Sequence, residues 1–180
     1  MPVRFDPHSA PAVPAHRVPG SGRQLLALTG FLGLSVAAWM LASIPIILNS
    51  GGWFAGSVKA PWMPPGWMFR SAWTLLYVGV AVAAWLVWRR GGLVRGALAA
   101  YVAQLLLNAA WPLTFFGLYP VLGGAALWTA LAVIAALAAA LAFLVLRFGP
   151  VSSAAGLLIL PYFSWVVFSA TLNFYSALHN

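Results

Sequence analysis

Apolar residues in this chain come in long, nearly unbroken runs, with no alternation of apolar and polar positions. Five runs dominate: Gln24 to Leu48, Gly66 to Trp88, Leu93 to Phe116, Val121 to Leu146 and Ser152 to Leu178. Each reaches the roughly 20 helical residues needed to cross a hydrocarbon layer about 30 Å thick. A lipid-facing barrel strand would show a period of two, whereas a helix satisfies its own backbone groups within one run. The pattern therefore predicts an all-α integral membrane protein, a bundle of five transmembrane helices. Pro45, Pro112 and Pro161 interrupt the first, third and fifth runs and predict kinks there. The connections Arg89 to Gly92, Gly117 to Pro120 and Arg147 to Val151 are short, which predicts that sequential helices pack as antiparallel neighbours.

Two segments break the pattern. Residues 1–23 hold Pro2, Pro7, Pro11, Pro14 and Pro19 with almost nothing to bury, and are expected to form a disordered tail ahead of a membrane domain spanning 24–180. The run after them is longer than the apolar core of a signal peptide, so it reads as the first membrane helix. The second segment, 49–65, joins the first two spans. Its residues continue into the second helix as GGWFAGSVKAPWMPPGW, where Pro64-Pro65 cannot extend a helix. A long aromatic connection among short ones is expected to act as a lid closing a ligand site.

Composition and charge narrow the picture. Of 180 residues 63% are hydrophobic, mean hydropathy is +0.95, and nine Lys and Arg face a single acid. The basic residues sit singly at the ends of apolar runs, as membrane-end anchors do, so nucleic acid is not an expected partner. Arg4, Arg17, Arg23, Arg89, Arg90, Arg95 and Arg147 fall on the side of the N-terminus, Lys59 and Arg70 on the other. This bias predicts a cytoplasmic N-terminus if the membrane is an inner or plasma membrane; the expected setting is a multi-pass protein of a bacterial membrane, inner or outer. No Cys is present and no Asp or Glu follows Asp6. Disulfides, acidic metal sites, proton-relay carboxylates and acid–base pairs are thereby excluded, and no cofactor or metal is expected.

The remaining chemistry is aromatic and amide. Phe69, Trp73 and Tyr77 share one face of the second helix, Gln104, Asn108, Trp111 and Phe115 one face of the third, and Trp165, Ser169 and Asn173 one face of the fifth. Amides turned towards lipid would be costly, so these faces are expected to point inward, below the lid. An aromatic pocket for a flat, largely apolar ligand is expected there, beneath the connection that carries Trp53 and Trp62. Lys59 and Arg70 are the candidates to meet carboxylates at its mouth. The competing structural roles are interfacial anchoring for the outer Trp residues and interhelical bonding for Gln104, Asn108 and Asn173.

Three stretches resemble the TspO/MBR translocator proteins, also called tryptophan-rich sensory proteins or peripheral-type benzodiazepine receptors. The first comprises Trp53-Phe54, Lys59, Trp62, Pro64-Pro65, Trp67, Phe69, Trp73 and Leu76-Tyr77. The second is AYVAQLLLNAAWPLTFFG, with Gln104, Asn108, Trp111 and Phe115-Phe116-Gly117, and the third LPYFSWVVFSATLNF, with Pro161-Tyr162, Trp165 and Leu172-Asn173. The resemblance implies a TspO-like five-helix bundle, usually a homodimer, with Trp53, Trp62, Trp73, Asn108, Trp111 and Trp165 in the pocket. It also implies porphyrin ligands, protoporphyrin IX or haem, with sterols or benzodiazepine-like drugs as further partners. The chain departs from the family at Ala60, where a proline usually follows the lysine, and at Arg70, which replaces a frequent proline.

The expected function is a membrane translocator or sensor that binds porphyrins. The alternative, implied by the resemblance to bacterial family members, is a light-dependent porphyrin-degrading enzyme using Trp73 and Trp165, a photochemistry of bound porphyrin and oxygen that needs no acid–base pair; binding without catalysis is the leading expectation.

Overall fold

A computed structural model describes residues 19–180. Most of the segment expected as a tail lies outside the described residues, and Ser21 to Arg23 belong to the first helix. The elements are α1 (Ser21–Asn49), α2 (Trp53–Gly56), α3 (Gly66–Trp88), α4 (Arg95–Pro112) with a π-helical turn (Leu113–Gly117), α5 (Tyr119–Leu122), α6 (Gly124–Phe148) and α7 (Ser153–His179). Counting α4 with its π turn, five of these helices are long and apolar enough to cross a membrane.

Local chemistry sets the boundaries. Ser152 accepts a hydrogen bond from the Ala155 N–H at 3.4 Å, capping the start of α7. Gly123 has a φ of 56°, a left-handed backbone that divides the run expected as one helix from Val121 into α5 and α6. Pro45 and Pro161 lie inside α1 and α7, while Pro112 marks the switch from α to π winding. There the Leu118 N–H reaches back five residues to the Leu113 carbonyl at 3.0 Å.

The long helices close a ring in which α1 packs on α3, α3 on α7, α7 on α6, α6 on α4 and α4 on α1. The expectation that all sequential spans are neighbours therefore fails once, between α3 and α4, which flank α1 from either side. The turn joining them is held against the α6–α7 turn instead. Arg90 donates to the Val151 carbonyl at 3.2 Å, and a Cβ on Gly92 would lie 2.5 Å from Val151 Cγ1, so only glycine allows this approach.

The core of α6 is a stripe of Leu127, Ala130, Ile134, Leu137, Leu141, Leu144 and Phe148, all fully buried. Steps of three and four keep these side chains on one seam towards α4 and α7. Of the alanines in the 135–142 stretch, Ala135, Ala136 and Ala139 are exposed on the opposite face. Bulky knobs decide the packing of α6. Close approach occurs at its end, where Gly156 of α7 meets Gly149.

Candidate functional site

The inward faces expected on the second, third and fifth spans do point inward. Gln104, Asn108 and Asn173 are 0%, 2% and 1% exposed. Trp73 of α3 lies at the centre of an aromatic cluster. Its ring stacks on Trp111 of α4 at 6.1 Å between centroids and 24° between planes, and meets Tyr162 of α7 edge-on at 6.0 Å. Phe69 and Tyr77 flank it along α3, each at 6.4 Å, and Phe69 also reaches Trp165 of α7 at 5.3 Å.

Polar groups join the same helices. Trp111 donates its indole N–H to Asn173 Oδ1 at 3.0 Å, and Asn173 Nδ2 donates to the Leu127 carbonyl at 2.9 Å, linking α4, α7 and α6. The Tyr162 hydroxyl accepts from Asn108 Nδ2 and donates to Gln104 Oε1 at 3.2 Å. Four buried side-chain atoms among the described residues have no hydrogen-bonding partner: Tyr77 OH, Gln104 Nε2, Trp165 Nε1 and Ser169 Oγ. All four belong to residues expected in the pocket, and they come from three helices. At about 1.5 Å per residue they lie about 15–20 Å below the lid end of their helices, near mid-membrane. A buried polar group without a partner costs about 1–3 kcal/mol, which bound hydrogen-bonding groups would recover.

The segment 49–65 covers this end of the bundle. Trp53, at the start of the short α2, donates its indole N–H to the Phe116 carbonyl at 3.1 Å and stacks face to face on Tyr119 at 3.7 Å. The π turn thus provides both the carbonyl and the Phe115-Phe116 surface on which the lid rests. Further along, Trp62 is 49% exposed and donates to Thr171 Oγ1 at 3.3 Å.

The sequence model of the TspO/MBR family matches residues 27–178. The chain belongs to this family. A tryptophan-rich protein TspO of Chlorobaculum tepidum is 33% identical over 84% of the chain and 94% of its own length. The human translocator protein is 38% identical over 68% of the chain and 71% of its own length, and a tryptophan-rich sensory protein of Cereibacter sphaeroides 34% identical over 80% and 87%. The last two are named as a translocator and a sensory protein, and five apolar helices suit a multi-pass membrane member of the TspO/MBR family.

Not every predicted residue meets the cluster. Lys59 turns back on its own loop, donating to the carbonyls of Phe54, Ala55 and Ser57 at 2.7, 3.1 and 3.2 Å, so its three ammonium donors hold the lid's shape. Arg70 is exposed on the second turn of α3. Trp53 and Trp62 form the cover, and Asn173 is a three-helix joint. Tyr162 was missing from the candidate residues, although it couples Asn108, Gln104 and Trp73. Its position one turn before Trp165, on the face of Ser169, was the available signal.

Two clefts open beside α1. One, of about 150 Å³, lies between α1 and α3 and is lined by Leu32, Ser35, Trp39, Thr74, Tyr77 and Val78. The other, of about 590 Å³, lies near Arg23 and Trp88 at the opposite end from the lid. Within the aromatic cluster the rings pack on one another. Among the described residues no group of His, Cys, Asp or Glu is placed to hold a metal ion.

Proposed function

We propose that this TspO/MBR member binds flat, largely apolar tetrapyrroles such as protoporphyrin IX or haem beneath the 49–65 lid, and that it serves as a membrane translocator or sensor for them. The observation that carries this reading is the set of four unpartnered groups, Tyr77 OH, Gln104 Nε2, Trp165 Nε1 and Ser169 Oγ, on α3, α4 and α7, the helices whose Trp73, Trp111 and Tyr162 form the aromatic cluster. Indole rings offer faces for a macrocycle, worth about 0.5–1.5 kcal/mol per aromatic pair beyond area burial. Gln104 and Trp165 offer N–H donors, and the two hydroxyls can donate or accept, so ligand nitrogens and oxygens have partners. Haem would bind through its ring face and edge, since His and Cys ligands do not converge among the described residues.

The charge bias supports a cytoplasmic position for the end of the bundle bearing Arg23, Arg89, Arg90, Arg95 and Arg147, with the lid on the other side. The test is a protoporphyrin IX titration of the detergent-solubilised protein followed by Trp fluorescence, in wild type and in Trp165→Phe. Saturable quenching in wild type, weakened in the variant, is expected; unsaturable quenching equal in both defeats the reading.

A further inference from the structure

The two ends of the lid are held in different ways. At its start, Trp53 and Phe54 are packed among Phe115, Phe116 and Tyr119. In its later part Val58 and Trp62 are half exposed on either side of the buried Ala60, and both bond to the C-terminal part of the chain, Val58 to Asn180 and Trp62 to Thr171. The Asn180 carboxamide pairs with both backbone groups of Val58: it accepts from the Val58 N–H at 2.8 Å and donates to the Val58 carbonyl at 3.1 Å. The same Nδ2 also donates to the Ser176 carbonyl at 3.0 Å, which fixes the side chain on the helix end. One side chain therefore pairs with the lid as a neighbouring strand would. Trp62 adds its bond to Thr171 and an edge contact with Tyr175 at 5.3 Å, and Tyr175 is itself stacked on His179 at 3.9 Å.

From this asymmetry we infer that Asn180 is a positioning residue, a latch that holds the Val58–Trp62 half of the lid to α7 and sets how fast ligands enter and leave. The inference rests on the ligand site proposed above. The catch and the site share α7, because Thr171 and Tyr175 lie on, and Asn180 directly follows, the helix that carries Trp165 and Ser169 further down. The Trp53 end is the hinge: its aromatic contacts are dense and apolar, whereas the latch consists of exposed hydrogen bonds that water replaces at small cost. Opening at Val58–Trp62 exposes the path towards Phe69 and Trp165, leaving Trp53 on Tyr119.

The test uses the full chain in lipid nanodiscs, with Asn180→Ala and Asn180→Asp. Asp keeps the acceptor for the Val58 N–H and loses the donor to its carbonyl. Amide hydrogen exchange, measured first without ligand, should rise about tenfold across 57–63 in Asn180→Ala, less in Asn180→Asp, and stay unchanged at Trp53–Phe54. Exchange across 57–63 equal to wild type overturns the latch. Stopped-flow release of protoporphyrin IX should accelerate by a similar factor, together with association, leaving affinity nearly constant. Faster exchange with unchanged release shows a loose lid that is not the ligand's route, and overturns the gating. Absence of porphyrin binding in wild type defeats the proposed function separately, while exchange still judges the latch.

Discussion

Trp111 on α4 and Asn173 on α7 are joined side chain to side chain, the indole N–H lying 3.0 Å from Asn173 Oδ1. Because Asn173 also donates to the Leu127 carbonyl, a single amide fixes the relative position of three helices inside lipid, where no water can take its place.

Asn173→Ala leaves the buried Trp111 indole N–H unpaired and removes the tie to the Leu127 carbonyl. The expected loss of stability is about 1–3 kcal/mol, with Asn173→Asp also destabilising because a buried carboxylate has no cation beside it. Reversible unfolding in mixed micelles measures it, and an unchanged midpoint for both variants contradicts the joint.

Ser169 gives the opposite expectation. Its hydroxyl is fully buried and has no partner, so Ser169→Ala should leave stability unchanged or raise it by about 1 kcal/mol while weakening protoporphyrin affinity about three- to tenfold. A variant that loses stability without losing affinity would show that the hydroxyl serves the fold.

Tyr162→Phe keeps the ring against Trp73 and removes the group shared by Asn108 and Gln104. Both amides then lose a partner, and stability should fall by about 1–2 kcal/mol. Tm in detergent is the readout, and a rise would show that the amides find other partners.

Charge at the mouth is testable with ligand chemistry. Lys59 is engaged by its own loop carbonyls, which leaves Arg70 as the more available cation on the lid side. Arg70→Glu should weaken protoporphyrin IX binding several-fold at low salt and leave its dimethyl ester unaffected. Equal effects on acid and ester would remove Arg70 from carboxylate recognition.

Trp53→Phe preserves an aromatic face on Tyr119 but drops the bond to Phe116. The lid should become more susceptible to limited proteolysis near Gly51-Gly52, with the bundle otherwise intact. Cleavage at the wild-type rate would place the hold of the lid start in the ring contacts alone.

The sequence by itself determined the membrane class, the five spans and which helix faces turn inward. Those properties depend on run length and on the helical period, which are local: Gln104 and Asn108 are buried because an amide facing lipid is costly whatever surrounds the helix. The break between the first two spans was legible for the same reason, since Pro64-Pro65 stop a helix in any context. Which groups pair with which was decided only by the tertiary structure. The ring order that separates α3 from α4, the turning of Lys59 onto its own loop, the role of Tyr162 and the bond from Asn180 to Val58 each depend on where a distant segment comes to rest. Such long-range partners leave no periodic trace in the chain. The four unpartnered groups likewise look no different in sequence from the satisfied Asn173, because a hydrogen bond is defined by the atom opposite, and only the packed helices supply or withhold it.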